Sequence, residues 1–219
     1  MNSTNKKEQI EIQALIFFAR NDYEGSSLND IAKALNVTKG AIYHYFDGKA
    51  DLFKSSILRF LDTMDYMLNG TLPRDIPFKV LLENLFKMEE MVAEIGRETG
   101  MGEIMENYES FLYLYIAGVK KFPELRIRME KLYYGFRSNL VNLMNAAIVK
   151  GEIQKDTDTE AVAFEITAFY EGALLLGALS NQKDYIELGP RVCSLIWERI
   201  AEKGRPENPN EYIQEKANE

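Results

Sequence analysis

The apolar positions of this chain recur with the period of an α-helix in every strong pattern beyond residue 54. Breaks rich in glycine, proline and polar residues separate these patterns. Helices are predicted near residues 49–69, 75–97, 103–120, 124–150, 159–181 and 185–203. Thr157 or Asp158 can cap the fifth of them, and the last either begins at Pro190 or is kinked there. The pattern therefore predicts an all-α protein.

The segment 26–52 predicts two short helices joined by a tight turn, with a third helix starting just after. Ser27 can cap the first helix, and Thr38 can cap the second. Asn36 stands at the turn, and asparagine tolerates the left-handed backbone conformation better than most residues. The side facing the core is made of Leu28, Ile31, Ala32, Leu35, Val37, Ile42 and Phe46. This arrangement is typical of a helix-turn-helix.

The outward side of the second short helix has the chemistry of a helix that enters a DNA major groove. Gly40 and Ala41 are small enough for a duplex to approach closely, and Lys39 supplies a positive charge. Lys49 begins the next helix, where exposed N–H groups favour phosphate. The candidate DNA contacts are Ser27, Thr38, Lys39, Gly40, Ala41, Tyr43, His44 and Lys49. The predicted partner is a double-stranded DNA operator.

Several of these residues also have a purely structural interpretation. Tyr43 can be half-buried with its hydroxyl at the surface, and Lys49 can be a solvated lysine. His44 is the single histidine, and Cys193 is the single cysteine. A metal site would need more ligands than these two residues offer, so neither a metal nor a cofactor is predicted.

A specific spaced pattern of residues runs through the same region. It consists of Asp30-Ile31-Ala32, Val37-Thr38-Lys39-Gly40, Tyr43, Phe46, Lys49 and Leu52, preceded by Ala14, Phe17, Phe18, Ala19 and Gly25. The pattern covers about residues 8 to 55 and resembles the TetR (tetracycline-repressor-like) family of bacterial regulators. Two departures are Asn36, where the family usually has glycine, and the order Tyr43-His44-Tyr45-Phe46. The resemblance implies a DNA-binding regulator, most often a repressor.

The charge distribution limits how one copy could bind DNA. The formal net charge is −8, yet residues 1–54 hold as many basic as acidic residues. A neutral domain can bind DNA if its few cations face one way, with a modest electrostatic contribution. Two copies are then needed to reach a useful affinity.

The two late helices predict a homodimer. The helix at 159–181 is apolar over much of its circumference, so it must be buried on several sides. Two such helices from each of two subunits would form a four-helix bundle. The resemblance supports this, because family members usually pair through their last two long helices. The candidate interface residues are Phe169, Gly172, Ala173, Leu176, Gly177, Cys193, Ile196, Trp197 and Ile200. The alternative is that these helices are simply the core of a monomer.

Methionine and aromatic residues crowd the middle of the chain, a composition that suits a pocket for a small hydrophobic or aromatic effector. The resemblance implies the same, since the variable helical domain of the family usually holds an effector. The candidate pocket residues are Met67, Phe86, Met88, Met91, Met105, Tyr108, Phe111, Tyr115, Tyr133, Phe136 and Phe169. Plain core packing is the alternative.

The predicted organisation is a three-helix helix-turn-helix domain at 1–54, a larger helical effector-binding and dimerisation domain at 55–203, and a polar tail at 204–219. The chain has no run of eighteen apolar residues and no signal-peptide centre, so no membrane partner and a cytoplasmic location are expected. An enzyme is not predicted, because no Gly-rich phosphate loop or nucleophile elbow occurs. A helical DNA-associated adaptor or architectural protein without an effector remains the alternative.

Overall fold

The computed structural model describes residues 6–202, except 22, 71, 88–92, 94, 95, 98, 107 and 181–183; the side chains of 105, 106, 108, 178, 179 and 184–186 are likewise not described. The helices are α1 Lys6–Arg20, α2 Leu28–Ala34, α3 Lys39–Tyr43, α4 Lys49–Asp65, α5 Phe78–Leu85, α6 Gly102–Glu106, α7 Tyr108–Lys121, α8 Pro123–Val149, α9 Thr159–Ser180 and α10 Asp184–Ile200. The predicted all-α fold is confirmed. None of these helices, within the described part of the chain, is long and apolar enough to cross a bilayer.

The predicted helix boundaries hold in most places and fail in three. The helix expected at 49–69 is α4 followed by a π-helical turn, Tyr66–Gly70. The helix expected at 75–97 is confirmed only at Phe78–Leu85, and much of its remainder lies outside the described residues. The prediction that the last helix could begin at Pro190 is wrong, because α10 already runs from Asp184. The predicted tail at 204–219 also lies outside the described residues.

Two hydrophobic clusters hold the helices together. The first core joins α1, the short helices α2 and α3, α4, α6 and α7; Phe18, Phe53, Ile57 and Phe111 are each at most 1% exposed in it. The second core joins α5, the later part of α8, α9 and α10. The first core continues across residue 54, with Phe53 and Ile57 on either side. The helix-turn-helix therefore packs directly against α6 and α7, which belong to the remaining helical part of the chain, from residue 55 onward, called the body below. The domain boundary at 54 stays a prediction.

Polar side chains join the end of α4 to α8. The Arg128 guanidinium donates from Nε to Asp62 Oδ1 and from Nη2 to Asp65 Oδ2, both at 2.7 Å. In the π-helical turn, Asn69 Nδ2 donates to Asp65 Oδ1 at 2.5 Å, and Asn69 Oδ1 accepts from Asn139 Nδ2 at 3.1 Å. The end of the long helix that leaves the helix-turn-helix is thus fixed to the body by directional bonds.

Candidate nucleic-acid interface

Side-chain caps define both short helices, as predicted. Asp30 N donates to Ser27 Oγ at 3.2 Å, and Ser27 N donates to Asp30 Oδ2 at 3.0 Å, which completes a capping box. The hydrogen bonds from Ser27 lower the pKa of Asp30 below its usual value. Thr38 Oγ1 accepts from Ala41 N at 3.1 Å and caps α3. Among the two candidates for the later helix, Asp158 is a cap of α9, accepting from Ala161 N at 3.0 Å.

The turn between α2 and α3 depends on one backbone conformation. Asn36 has a φ of 52°, within the left-handed region, as the sequence predicts. Val37 N then donates to Ala32 O at 3.0 Å, which closes the turn. Ile42 at 0% and Phe46 at 2% exposure anchor α3 to the first core. The opposite side of α3 is therefore turned away from the protein.

That opposite side brings together several of the predicted DNA contacts. Lys39, Gly40, Tyr43 and His44 are exposed, with Tyr43 at 52%, while Ala41 is half-buried. Lys39 Nζ lies 5.7 Å from the Tyr43 ring centroid, so its charge stands beside the aromatic face. The result is a small surface that carries a cation, a phenol and an imidazole. It can offer hydrogen bonds to phosphates or base edges.

Lys49 has a structural role that the sequence did not reveal. Its Nζ donates to Tyr23 O and Ser26 O, both at 2.8 Å, and lies 4.3 Å from the centroid of the Tyr23 ring. The side chain is therefore held over the α1–α2 loop. Of its three N–H groups, two are committed to the loop carbonyls. A phosphate contact would use the remaining N–H group of Lys49.

Ion pairs between the helix-turn-helix and the body were also missed by the sequence reading. Arg20, at the end of α1, makes a two-pronged ion pair with Glu103 in α6, its Nη2 donating at 2.6 Å. Arg59 in α4 donates to Glu8 and Glu11 in α1 at 3.1 and 3.0 Å. The Arg20–Glu103 pair spans 83 residues of sequence, so no local pattern could identify it.

The structure divides the predicted dimer-interface residues into two groups. Ala173, Cys193, Ile196 and Ile200 are at most 5% exposed and belong to the second core. Their own chain encloses these side chains, and their role as contacts with a second copy stays a prediction. Leu176 is 64% exposed, whereas Gly172, Gly177, Phe169 and Trp197 are half-buried. Exposed apolar side chains that the prediction omitted lie on the same two helices: Phe164, Leu175, Leu188 and Leu195.

The predicted pocket residues are not brought to one place. Phe111 and Tyr115 belong to the first core, beside Phe60, whose ring centroid is 3.9 Å from that of Phe111. Phe86, Phe136 and Phe169 belong to the second core. The described members of the set therefore lie in two separate cores, and an effector pocket stays a prediction. Tyr133 and Met67 are half-buried, Met88 and Met91 lie outside the described residues, and the side chains of Met105 and Tyr108 are not described.

Tyr170 is a polar group of the second core that the sequence reading missed. Its side chain is 8% exposed, and its hydroxyl has no hydrogen-bond partner among the described residues. The ring centroids of Phe86, Phe136 and Phe169 lie 5.9, 6.3 and 6.2 Å away. Burial raises the pKa of Tyr170 above its usual value, and the nearby Cys193 adds to the shift. The phenol is therefore a neutral donor at physiological pH.

Cys193 is similarly enclosed. Burial raises the pKa of its thiol to about 11, with a further contribution from Glu83. A thiol with such a pKa is protonated at neutral pH and is a poor nucleophile.

Comparison with known protein families matches two separate parts of the chain. Residues 13–55 match the family described as "Bacterial regulatory proteins, tetR family". Residues 120–191 match "Tetracyclin repressor-like, C-terminal domain". The first match contains α2 and α3 with its exposed side, and the second contains all of α8 and α9 and the start of α10.

Curated relatives match less than half of the chain. It is 30% identical over 89 residues to the biofilm operon icaADBC negative transcriptional regulator IcaR of Staphylococcus aureus (strain Newman), which is 38% of this chain and 48% of that protein. It is 35% identical over 103 residues to the probable acrEF/envCD operon repressor of Escherichia coli (strain K12), 46% of each. The chain thus spans about half the length of the curated relatives it matches.

Solved structures resemble the whole fold. A TetR-family transcriptional regulator from Cytophaga hutchinsonii superposes with a TM-score of 0.70 at 21% identity, over 90% of this chain and 95% of that one. FadR of Bacillus subtilis, solved in complex with stearoyl-CoA, gives 0.60 at 20% identity over 92% and 100%. At these identities the similarity shows the fold.

Proposed function

Because this chain belongs to the TetR family of bacterial regulatory proteins, we propose that it is a dimeric, cytoplasmic transcriptional repressor that binds a pseudo-palindromic DNA operator. The observation that carries this proposal is the exposed side of α3. Lys39, Tyr43 and His44 stand together there, while Ile42 and Phe46 fix the opposite side of the helix in the first core. A polar surface so placed is suited to a major groove.

Two helix-turn-helix units are needed because one unit is electrostatically neutral. In a two-fold dimer the two α3 helices would meet successive major grooves about 34–36 Å apart. The apolar side chains exposed on α9 and α10 support such a dimer, since Leu176 and Leu195 are 64% and 65% exposed. Apolar side chains that remain in water on two adjacent helices favour burial against a second copy.

Release from the operator would come from a small effector that favours a different spacing of the two units. α4 would act as the lever, because it runs from the helix-turn-helix to the Arg128 and Asn69 bonds of the body. For a nearly complete switch, the effector must favour one state by about 5.5 kcal/mol.

We propose that the effector binds in the second core, against Tyr170. An unsatisfied buried hydroxyl costs about 1–3 kcal/mol, which a ligand acceptor would recover. The rings of Phe86, Phe136 and Phe169 pack against the Tyr170 ring, so its immediate neighbours are apolar. The ligand class that fits is a hydrophobic or aromatic molecule with one neutral hydrogen-bond acceptor.

The DNA proposal is tested by selecting operators from a random DNA pool and then substituting α3. Lys39, Tyr43 and His44 replaced together by alanine should weaken binding by at least two orders of magnitude, since three good contacts at about 1–3 kcal/mol each sum to about 3–9 kcal/mol. Lys131→Ala, on the exposed side of α8, is the control and should bind as the parent does. Circular dichroism and sedimentation establish that the variants remain folded. A triple variant that binds as tightly as the parent contradicts the proposal.

The effector site is tested with two probes of similar shape. Benzophenone carries a carbonyl acceptor, and diphenylmethane lacks it. Benzophenone should raise the thermal unfolding midpoint more than diphenylmethane does, and Tyr170→Phe should remove that difference. Tyr134→Phe removes the same hydroxyl from a side chain that is 70% exposed and should leave the difference intact. Equal shifts from both probes, or a preference that survives Tyr170→Phe, would refute the assignment.

A further inference from the structure

Tyr23, in the loop between α1 and α2, receives cations from two different parts of the chain. Lys49 Nζ, at the start of α4, lies 4.3 Å from its ring centroid, and Lys121 Nζ, at the end of α7, lies 4.4 Å from it. The Tyr23 side chain is 7% exposed, and its ring packs 4.5 Å from the ring of Phe53. The loop that leads into α2 is thus held at one buried aromatic ring.

The two lysines hold this loop in different ways. Lys49 binds the backbone, through the carbonyls of Tyr23 and Ser26, and so fixes the conformation of the loop. Lys121 binds side chains: its Nζ lies 3.7 Å from Glu24 Oε1 as well as over the Tyr23 ring. Its pKa is raised, first by the interaction with Tyr23 and further by Glu24, so the ammonium stays charged. Lys121 belongs to the body, and it therefore fixes where the loop lies.

The corner between α7 and α8 is itself firmly docked. Phe122 N donates to Gly118 O at 2.7 Å, and the Phe122 ring centroid lies 6.3 Å from that of Phe53. Lys54 of α4 pairs with Glu124 at 3.5 Å. A movement of this corner would carry Lys121 with it.

The α7–α4 contact is close because α7 carries glycine there. A Cβ on Gly118 would lie 3.0 Å from Ile57 Cδ1 and 2.8 Å from Leu125 Cδ1. These distances are tighter than ordinary side-chain packing, so α7 approaches α4 as closely as its backbone allows. The close contact keeps the end of α7 beside the α1–α2 loop.

We propose that Lys121 is a positioning residue for DNA binding: it holds the Tyr23–Ser26 loop, and with it the start of α2, at an angle set by the body. This inference rests on the proposed function, because α2 and α3 must dock on DNA together. It adds a second connection between the body and the helix-turn-helix, besides α4. The loop reaches α2 directly, because Ser26 precedes the capping residue Ser27.

A positioning role and a general stabilising role for Lys121 predict different effects on the free energy of folding. The side chains of Lys121 and Glu24 are 45% and 76% exposed, and exposed ion pairs add little to the free energy of folding. Removing the Lys121 charge should therefore leave the unfolding midpoint nearly unchanged. The change should appear in the mobility of the loop and in operator affinity.

Lys121→Met keeps the length of the side chain and removes its charge, and Lys120→Met is the matched control on the neighbouring exposed residue. Hydrogen exchange of the amides of residues 23–30, measured without DNA, should be faster in Lys121→Met and unchanged in Lys120→Met. On an operator selected with the parent protein, Lys121→Met should lose between about twofold and 30-fold in affinity, the range typical of coupling mutations. Lys121→Arg keeps the charge over the ring and should behave as the parent.

Salt dependence distinguishes positioning from direct contact. If Lys121 only positions the loop, the slope of log K against log salt should match that of the parent, whereas a lost phosphate contact would reduce the slope by about 0.9 for each copy of the chain on the DNA. Unchanged exchange and affinity in Lys121→Met, an equal loss in Lys120→Met, or a reduced slope would each overturn the inference. A parent protein that selects no operator would instead refute the proposed function, and the exchange comparison would still decide whether Lys121 holds the loop.

Discussion

At the scale of single residues, Asn36 determines how α2 and α3 meet. Its φ of 52° lies in the left-handed region, which L-residues avoid because the side chain crowds the following carbonyl. Leu35 and Val37, on either side, pack against the first core, so the turn cannot relax to another conformation without losing that packing. The orientation of α3, and of its exposed side, therefore depends on this residue.

Substitutions at Asn36 should separate backbone strain from side-chain contacts. Asn36→Gly removes the strain and should leave the free energy of unfolding unchanged or slightly higher. Asn36→Ala should lower it by about 1 kcal/mol, since alanine pays the left-handed cost without the local hydrogen bonding of asparagine. Urea denaturation measures both. An alanine variant as stable as the glycine variant would mean that this backbone conformation is not strained.

The same scale shows what a sequence can reveal about a binding surface. The caps by Ser27 and Thr38 could be predicted because each joins a side chain to a backbone amide three residues away. The bonds of Lys49 could not, because their acceptors lie 26 and 23 residues distant. Exposure at Tyr43 followed from helical periodicity, which placed Ile42 and Phe46 inward.

At the scale of elements, the regular hydrogen bonding of α4 changes to a π-helical turn where the chain contacts α8. Asn69 donates to Asp65 and to the carbonyl of Leu132, and accepts from Asn139 on α8. The sequence predicted a helix to residue 69, and periodicity contains no information about an extra residue per turn. The turn depends on tertiary bonds to α8, in keeping with the rarity of π-helical turns and their frequency at functional sites.

Gly135 should be coupled to Asn69, because a Cβ at 135 would lie 3.0 Å from Asn69 Nδ2. In an open helix interior, glycine to alanine stabilises by about 1 kcal/mol. Gly135→Ala should lose that gain, since overpacking costs about 1–3 kcal/mol, and should regain it in an Asn69→Ala background. A double-mutant cycle by chemical denaturation measures the coupling. If Gly135→Ala changes the free energy of unfolding equally in the parent and in Asn69→Ala, the Asn69 side chain moves aside without cost.

At the scale of the whole molecule, α9 and α10 each pack into the second core on one side and are exposed to solvent on the other. Ala173 and Ile196 face the core, while Leu176 and Leu195 are exposed. The sequence predicted that these helices form a dimer interface, and its candidate residues fall on both the buried and the exposed side. A helix that is apolar nearly all round gives no polar stripe to mark its solvent side, so core and contact residues look alike. The buried and exposed sides of α9 and α10 can be told apart only in the structure, where α5 and α8 cover the buried side.

Charge placed on the exposed side of α9 and α10 should therefore separate the subunits. In a two-fold dimer, Leu176→Glu or Leu195→Glu removes a leucine from both copies. At about 1.5–3 kcal/mol for each buried leucine, the dimer should weaken by about 3–6 kcal/mol. That corresponds to roughly two to four orders of magnitude in its dissociation constant, and operator binding should fall with it. Val149→Glu, at an 88% exposed position on α8, is the control and should remain a dimer. Sedimentation across a concentration series measures the dimerisation of all three variants. If Leu176→Glu and Leu195→Glu remain dimers at the concentrations at which the parent does, the dimer contact lies elsewhere on the molecule.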